Sequence, residues 1–217
     1  MIELVILLLA SYMTGSFPTS VVVTRVTKNI DIRGHGSGNA GATNVFRVLG
    51  WKYALFVLIF DIFKGWLPTA VYATIIFQQL PVPDRSLVQI LCGFAAVFGH
   101  IFPVFSGLKG GKGVGSLIGV LLALFPLAFP LCLLVGVAVI TTTGYVSLGS
   151  ISAAIALPII ILILPRFGLI SPNLSLVVFS LLVPWVIIYT HRSNISRIRN
   201  GTENRFEKAI IFKKKNY

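Results

Sequence analysis

The sequence predicts an all-α integral membrane protein with seven transmembrane helices, its N-terminus outside and its C-terminus cytoplasmic. Three observations carry that prediction. Of the 217 residues, 56% are hydrophobic and 11% charged, and the mean hydropathy is +0.92. A soluble domain carries roughly 45–50% apolar and about 25% charged residues. The apolar residues gather into runs near the length needed to span a bilayer. The charged set is lopsided, with 18 Lys+Arg against 6 Asp+Glu and a formal net charge of +12, and its cations fall almost wholly on one side when the runs alternate. In a soluble protein such a balance points to nucleic acid. Here the apolar content excludes that partner and makes membrane lipid the first one. Cys92 and Cys132 each lie inside an apolar run, so no disulfide framework is expected.

The first run starts at Met1-Ile2-Glu3 without the basic n-region of a signal peptide, and no small-residue cleavage pattern closes it. Residues 2–24 are therefore read as a retained first helix. Further runs cover about 51–77, 87–105, 114–140, 150–164 and 174–190, against roughly 20 residues for a full span. Pro126 and Pro130 interrupt 114–140 and leave its count open, and charge placement favours two short helices joined by a turn near Phe125–Pro130. With that division, Arg25, Lys28, Arg33, Arg47, Lys52, Lys109 and Lys112 share a side with Arg192, Arg197, Arg199, Arg205, Lys208, Lys213, Lys214 and Lys215. These are fifteen of the eighteen cations. Arg85 and Arg166 fall opposite, and Lys64 lies within the second helix. Cytoplasmic loops collect Lys and Arg, which sets the orientation. A single span at 114–140 would send the basic tail outside, against that rule. The chain is read as one polytopic membrane domain, 1–217. Asp61 and Lys64, three residues apart on the second helix, are expected to face inward and toward each other. They serve either as an ion pair pinning helices or in binding.

Polar chemistry is concentrated in segments at about 31–50, 99–116, 141–150 and 191–203. The first offers Ser37, Asn39, Thr43 and Asn44 with Arg33 and Arg47, among Gly34, Gly36, Gly38 and Gly41. Glycines let backbone N–H groups approach a ligand, and donors with positive charge and few carboxylates suit a phosphate. Gly36 to Gly41 also satisfies G-x-G-x-x-G, but no strand precedes it and no βαβ unit follows, so a dinucleotide site is discarded. In the second segment, Gly107 to Lys112 is one residue short of a P-loop, and Gly113 stands where a magnesium-holding Ser or Thr would be. What remains is a glycine loop with Lys109 and Lys112 at a helix N-terminus, a place where anions bind readily. A loop whose charge only fixes topology is the plainer alternative. In the fourth, His191, Asn194 and Arg197 recur every three residues, and a continuing helix would gather them near one face. His191 suits a general base, a donor to phosphate or an orienting group. In 141–150, Ser147 and Ser150 border the same cytoplasmic surface. Lys213 to Lys215 reads as a lipid-headgroup contact.

Several chemistries are missing. Six acids, with Glu3 and Asp84 expected outside, cannot build a multi-carboxylate metal site. No Gly-x-Ser-x-Gly elbow and no zinc-spaced His/Cys cluster occurs. No metal or cofactor is expected, and the segments look built to hold and position anions.

The motifs resemble those of the bacterial acyl-phosphate:glycerol-3-phosphate acyltransferases, the PlsY family. The match runs from Gly15-Ser-Phe-Pro-Thr19 through Asp31-Ile-Arg33 and the whole stretch Gly36 to Gly50. It continues in Asp61-Ile-Phe-Lys-Gly65, Gly99-His-Ile-Phe-Pro103, Lys109-Gly-Gly-Lys-Gly-Val114 and Tyr145-Val-Ser-Leu-Gly-Ser150. His191, Asn194, Arg197 and Gly201-Thr-Glu203 complete it. Ala40, Gly115-Ser116, Asn204 and Gly144 depart from the pattern, the last standing where a basic residue is expected.

The resemblance implies a seven-helix membrane enzyme of phospholipid biosynthesis, placed in the bacterial inner membrane. It would move an acyl group from acyl phosphate to the sn-1 hydroxyl of glycerol 3-phosphate, giving lysophosphatidic acid, with neither acyl-CoA nor acyl carrier protein. It further implies catalytic roles for Ser37, Arg47, Lys112, His191 and Asn194. Substrate binding falls to Asn39, Thr43, Asn44, Lys109, Gly110, Gly111, Gly113, Ser147 and Arg197. The family is thought to lack a protein nucleophile or base, the donor's own phosphate assisting deprotonation. Two phosphates brought together repel unless cations lie between them, for which Arg47, Lys112 and Arg197 are the candidates. A transporter of a phosphorylated metabolite is the main rival. It predicts polar residues near midplane on several helices, whereas here Asp61 and Lys64 are nearly alone within the spans. A scaffold protein leaves the glycine-rich segments unexplained.

Overall fold

The computed structural model describes residues 2–77, 84–207 and 210, so the expectation for Lys213 to Lys215 lies outside the described residues. Among the described residues every regular element is helical, and the chain divides into two compact units, 1–125 and 126–217.

In the first unit, α1 (Ile2–Gly15) and α2 (Thr19–Lys28) replace the single expected helix 2–24. The break falls at Pro18, which has no N–H to continue the helical ladder. A further difference is α3 (Ala42–Leu49), a short helix inside the polar segment 31–50. Its apolar Val45 joins Val21, Ile32, Ala40, Ala54 and Val57 in a core that ties this segment to α2 and α4 (Trp51–Leu67). After α4 the chain passes through a wider π-helical turn at Pro68–Tyr72 into α5 (Ala73–Phe77). The Asp84 side chain accepts from the Ser86 amide and caps α6 (Arg85–Ile101). α7 (Val114–Leu124) closes the unit.

Helix α4 shows the logic of a membrane face. Ala54, Val57, Asp61, Lys64 and Gly65 are buried, while Phe56, Ile59, Phe60 and Phe63 are exposed. Apolar residues look outward and the two charges look inward, as lipid requires. Without water to drive apolar surfaces together, spans associate through close packing of small residues. Gly65 abuts the Ser116 carbonyl of α7, and Gly119 abuts the Ile62 carbonyl of α4; likewise Gly15 of α1 meets Ala96 of α6. A Gly119→Val chain should therefore fail to give monodisperse purified protein, because its Cβ would strike backbone. Gly34→Ala, with nothing within 4 Å of its Cβ position, should purify like the parent.

The run 114–140 is indeed two helices, with Pro126 in the break; Pro130 is absorbed in the first turn of α8 (Ala128–Thr143), the first helix of the second unit. α9 (Val146–Ile163) packs on α8, where Gly149 approaches the Gly136 carbonyl. α10 (Leu174–Thr190) is capped by Asn173, whose side chain accepts from the Leu176 amide. It meets α11 (Arg192–Arg199) at a 60° bend rather than continuing straight.

Among the described residues, four stretches are long and apolar enough to cross a membrane: Ile2–Lys28, Trp51–Ile75, Arg85–Ser106 and Val146–Phe167. The pair of α10 and α11 passes the same test only when taken as one span across its 60° bend, and α7 and α8 are shorter apolar helices.

Candidate active site

In the first unit the polar segments fold into two linked loops. Asn44, on α3 and with no exposed surface, turns all its hydrogen-bonding groups onto the first loop. Its Nδ2 donates to the carbonyls of Ile32 (3.2 Å), His35 (2.9 Å) and Asn39 (3.1 Å), and its Oδ1 accepts from the Ser37 amide at 2.8 Å. It shapes the loop rather than offering those groups to a ligand. Gly36 has φ +61° and lies against the Asn44 side chain, so only glycine fits there. Ser37, Asn39, Thr43 and Arg47 remain half-buried at the rim of this loop and on the outer turns of α3.

Arg33 links the two loops. It forks onto Asp31, with Nη2 2.7 Å from Oδ2, and donates through Nη1 to the carbonyl of Ser106 at 2.7 Å. The Arg33 guanidinium holds the Asp31 carboxyl down at about 2, and Asp31 in turn pushes Arg33 up. Sequence reasoning had named Arg33 only as one cation among several. Its bracing role depends on contacts across more than 70 residues of chain.

The second loop leaves α6 at Phe102 and returns at Gly113. The amides of Gly110 and Gly111 donate to the carbonyls of Ile101 and His100, each at 3.1 Å, satisfying the open C-terminal end of α6. Lys109 is exposed and Lys112 half-buried, one on each side of the glycine pair. An open cleft of about 630 Å³ is lined by Arg33, Gly38, Ser106, Gly107, Lys109 and Gly110. Its charged side chains are both cations, and backbone forms much of the rest, a lining that suits an anionic headgroup.

In the second unit Glu203 is the centre. Its Oε1 accepts from Asn194 Nδ2 at 2.6 Å and from Ser147 Oγ at 3.0 Å, and its Oε2 accepts from Arg197 Nε at 2.7 Å. Burial by itself would push this carboxyl up; the donors Asn194, Arg197 and Ser147 outweigh it and hold the group below the usual carboxylate range. Asn194, Arg197 and Ser147, all named from sequence, are thus brought together by a residue to which no role had been given. An acid four residues beyond a basic helix was the available signal. His191 sits at the bend between α10 and α11 and gives its Nδ1 to the Ile187 carbonyl at 2.8 Å, which fixes the ring. Arg205 donates to the Thr143 carbonyl and lies 5.1 Å from the Tyr145 ring centre, so a cation stands beside Gly144 after all.

Comparison with known proteins gives one answer. The profile of the family described as glycerol-3-phosphate acyltransferase matches residues 5–201. A glycerol-3-phosphate acyltransferase of Chlorobaculum parvum is 43% identical over 226 residues, covering 94% of this chain and 97% of the relative. That of Chlorobium phaeobacteroides is 40% identical over 229 residues with the same coverage. Among solved structures, PlsY, an integral membrane glycerol 3-phosphate acyltransferase, is similar in its glycerol 3-phosphate form. The TM-score is 0.80 at 36% identity, covering 94% of this chain and 96% of that one. Its lysophosphatidic acid form gives a TM-score of 0.76 at 35% identity. Coverage of nearly the whole chain at this identity places both units, and not one grafted motif, in a single lineage: the chain belongs to the glycerol-3-phosphate acyltransferase family, PlsY.

Proposed function

We propose that this acyltransferase uses acyl phosphate as donor and the sn-1 hydroxyl of glycerol 3-phosphate as acceptor. The hydroxyl oxygen attacks the acyl carbonyl carbon, the carbon–oxygen bond to phosphate breaks, and the hydroxyl proton leaves with the phosphate. The products are lysophosphatidic acid and inorganic phosphate. Acyl phosphate is a mixed anhydride with a good leaving group, so the protein's part is to hold and neutralise anions. Orientation of well-placed reactants can supply about 7–11 kcal/mol of the barrier.

The observation that carries this reading is the cleft, whose charged lining consists of Arg33 and Lys109 among glycine backbone. We assign the loop Lys109 to Gly113 to the donor's phosphate. Ser37, Asn39, Thr43 and Arg47 form the surrounding shell, and Asn44 its scaffold. In the second unit, Asn194 and Arg197 are assigned to glycerol 3-phosphate. Ser147 and Glu203 set their positions, and His191, with Nδ1 committed to a carbonyl, has an orienting role. Seven crossings, with the N-terminus outside and the C-terminus cytoplasmic in a bacterial inner membrane, are supported by the cation distribution and by four long spans, the 17-residue apolar α10 and two shorter apolar helices. A transporter reading finds less support, because the described mid-span charges are tied to one another in one buried pair.

The test is purified protein with acyl phosphate and glycerol 3-phosphate, followed by phosphate release. Release without added metal, acyl-CoA or acyl carrier protein is expected. Transfer that requires acyl-CoA would overturn the donor assignment. Arg47→Ala, Lys112→Ala and Asn194→Ala should each lose at least 90% of transfer while still inserting, and full activity in any of them removes that residue from the site.

A further inference from the structure

Beneath the second loop lies a set of buried charged and polar groups with no part in the chemistry above. Asp61 and Lys64 are 3% and 6% exposed and pair at 2.8 Å. Lys64 also donates at 3.0 Å to the Phe17 carbonyl, at the break that Pro18 makes between α1 and α2. On the other side of Asp61 stands His100 of α6, 6% exposed, its Nδ1 3.7 Å from Asp61 Oδ1 and 3.1 Å from Ser116 Oγ of α7. The opposite edge of the imidazole meets the glycine loop. A Cβ on Gly111 would collide with His100 Nε2 and come within 2.6 Å of the Ala40 carbonyl, so Gly111 lies flat between the ring and the first loop's backbone. A cavity of about 10 Å³ adjoins the set, lined by Thr19, Asp61, Lys64, His100, Ser106 and Gly111 among others. The hydroxyls of Thr19 and Ser106 have no hydrogen-bond partner among the described residues.

An ion pair that only pinned α4 to the α1–α2 break would need no imidazole on its far side. Here three helices converge on one ring, and that ring is the floor under Gly111. Lys112 follows by one residue and Lys109 precedes by two, so the height of the glycine pair sets where both ammonium groups stand. Glycine without slack transmits a shift of the ring directly to the backbone above it.

We propose that His100, locked by Asp61–Lys64 and by Ser116, is the platform that positions the Lys109–Gly113 loop, so that His100, Asp61 and Lys64 are positioning residues for the anion bound there. This rests on the phosphate-binding reading of that loop.

The experiment is a double-mutant cycle in full-length purified protein between His100→Ala and Lys112→Ala. Each substrate is varied in turn, and inorganic phosphate is titrated as an independent ligand. H100A is expected to raise KM for acyl phosphate at least tenfold and leave KM for glycerol 3-phosphate within twofold. H100Q, whose longer side chain can bring a polar group to the place of Nε2 beneath Gly111, should return to within threefold of the parent. The double variant should be no worse than K112A alone, since residues acting as one unit are not additive. Should H100A fold poorly, Ser116→Ala, which removes one support of the ring from outside the loop, should show the same KM split at about threefold. Additive effects in the cycle, equal rises in both KM values, or an unchanged KM in these variants would overturn the platform. A parent protein that releases no phosphate from acyl phosphate overturns the donor assignment instead. The platform is then judged by phosphate affinity, which H100A must lower tenfold and non-additively with K112A, and an unchanged affinity refutes it.

Discussion

Glu203→Ala is expected to abolish acyltransferase activity and to lower the melting temperature of the purified protein. The carboxylate is the shared acceptor for Ser147, Asn194 and Arg197. Its loss leaves Asn194, 5% exposed, without that partner and frees the guanidinium of Arg197. Removing one member of a buried charge pair costs about 3–5 kcal/mol, and the lower end applies because the Arg197 side chain keeps 32% of its surface in water. Glu203→Gln separates shape from charge: it can still accept from Asn194 and Ser147 but gives Arg197 no counter-ion. We expect it to fold and to lose a large part of activity. The sign of the pH dependence follows from the direction of the shift. The folded carboxyl titrates below its unfolded value, so its contribution is complete above the ordinary carboxylate range of about 4.3. It is lost as pH falls through the folded value. The difference in melting temperature between the parent and Glu203→Gln should therefore be constant at neutral pH and shrink on acidification. A difference that grows on acidification would contradict the assignment.

The second large effect is expected of Asn44→Asp. The two side chains have the same shape, but the change exchanges an NH2 that serves three carbonyls for a carboxylate oxygen facing them. Each lost bond to a buried group costs about 1–3 kcal/mol, and the site has no exposed surface in which the new charge can be hydrated. Loss of activity by at least a hundredfold is expected, with the loop around Ser37 becoming open to proteolysis. Thr43→Ala, at the neighbouring half-buried position, should leave the loop protected. An active Asn44→Asp protein with a protease-resistant loop would show that the first loop does not depend on this residue.

Much of the molecule is legible in its sequence. Composition alone removes soluble folds, since lipid is the only solvent that 56% hydrophobic residues would tolerate over such long runs. The division of 114–140 followed from proline chemistry and charge balance, and the structure places α7 and α8 there. The break at residues 16–18 was less visible, although Thr14-Gly-Ser-Phe-Pro-Thr-Ser20 sets small and polar residues around Pro18, because apolar runs on both sides read as one span. Helix α3 was hidden by four glycines immediately before it, which suggested loop throughout. The straight continuation of α10 through His191 was also too simple, because a three-residue spacing reports a shared face only while the helix runs on.

The residues themselves, their order and their net charge were sufficient to predict a membrane protein with loops of glycine and lysine suited to an anion. Those properties are local, set by transfer free energies and by which backbones can approach an anion. Which of the named polar groups faces a ligand and which braces its neighbours was decided by the folded chain. Asn44 became a scaffold, Arg33 a clasp, Glu203 a hub and His100 a floor, because each of those roles is a set of partners. Only closure of the chain brings together residues 16, 56, 73 or more positions apart, and no spacing along the sequence encodes their hydrogen bonds.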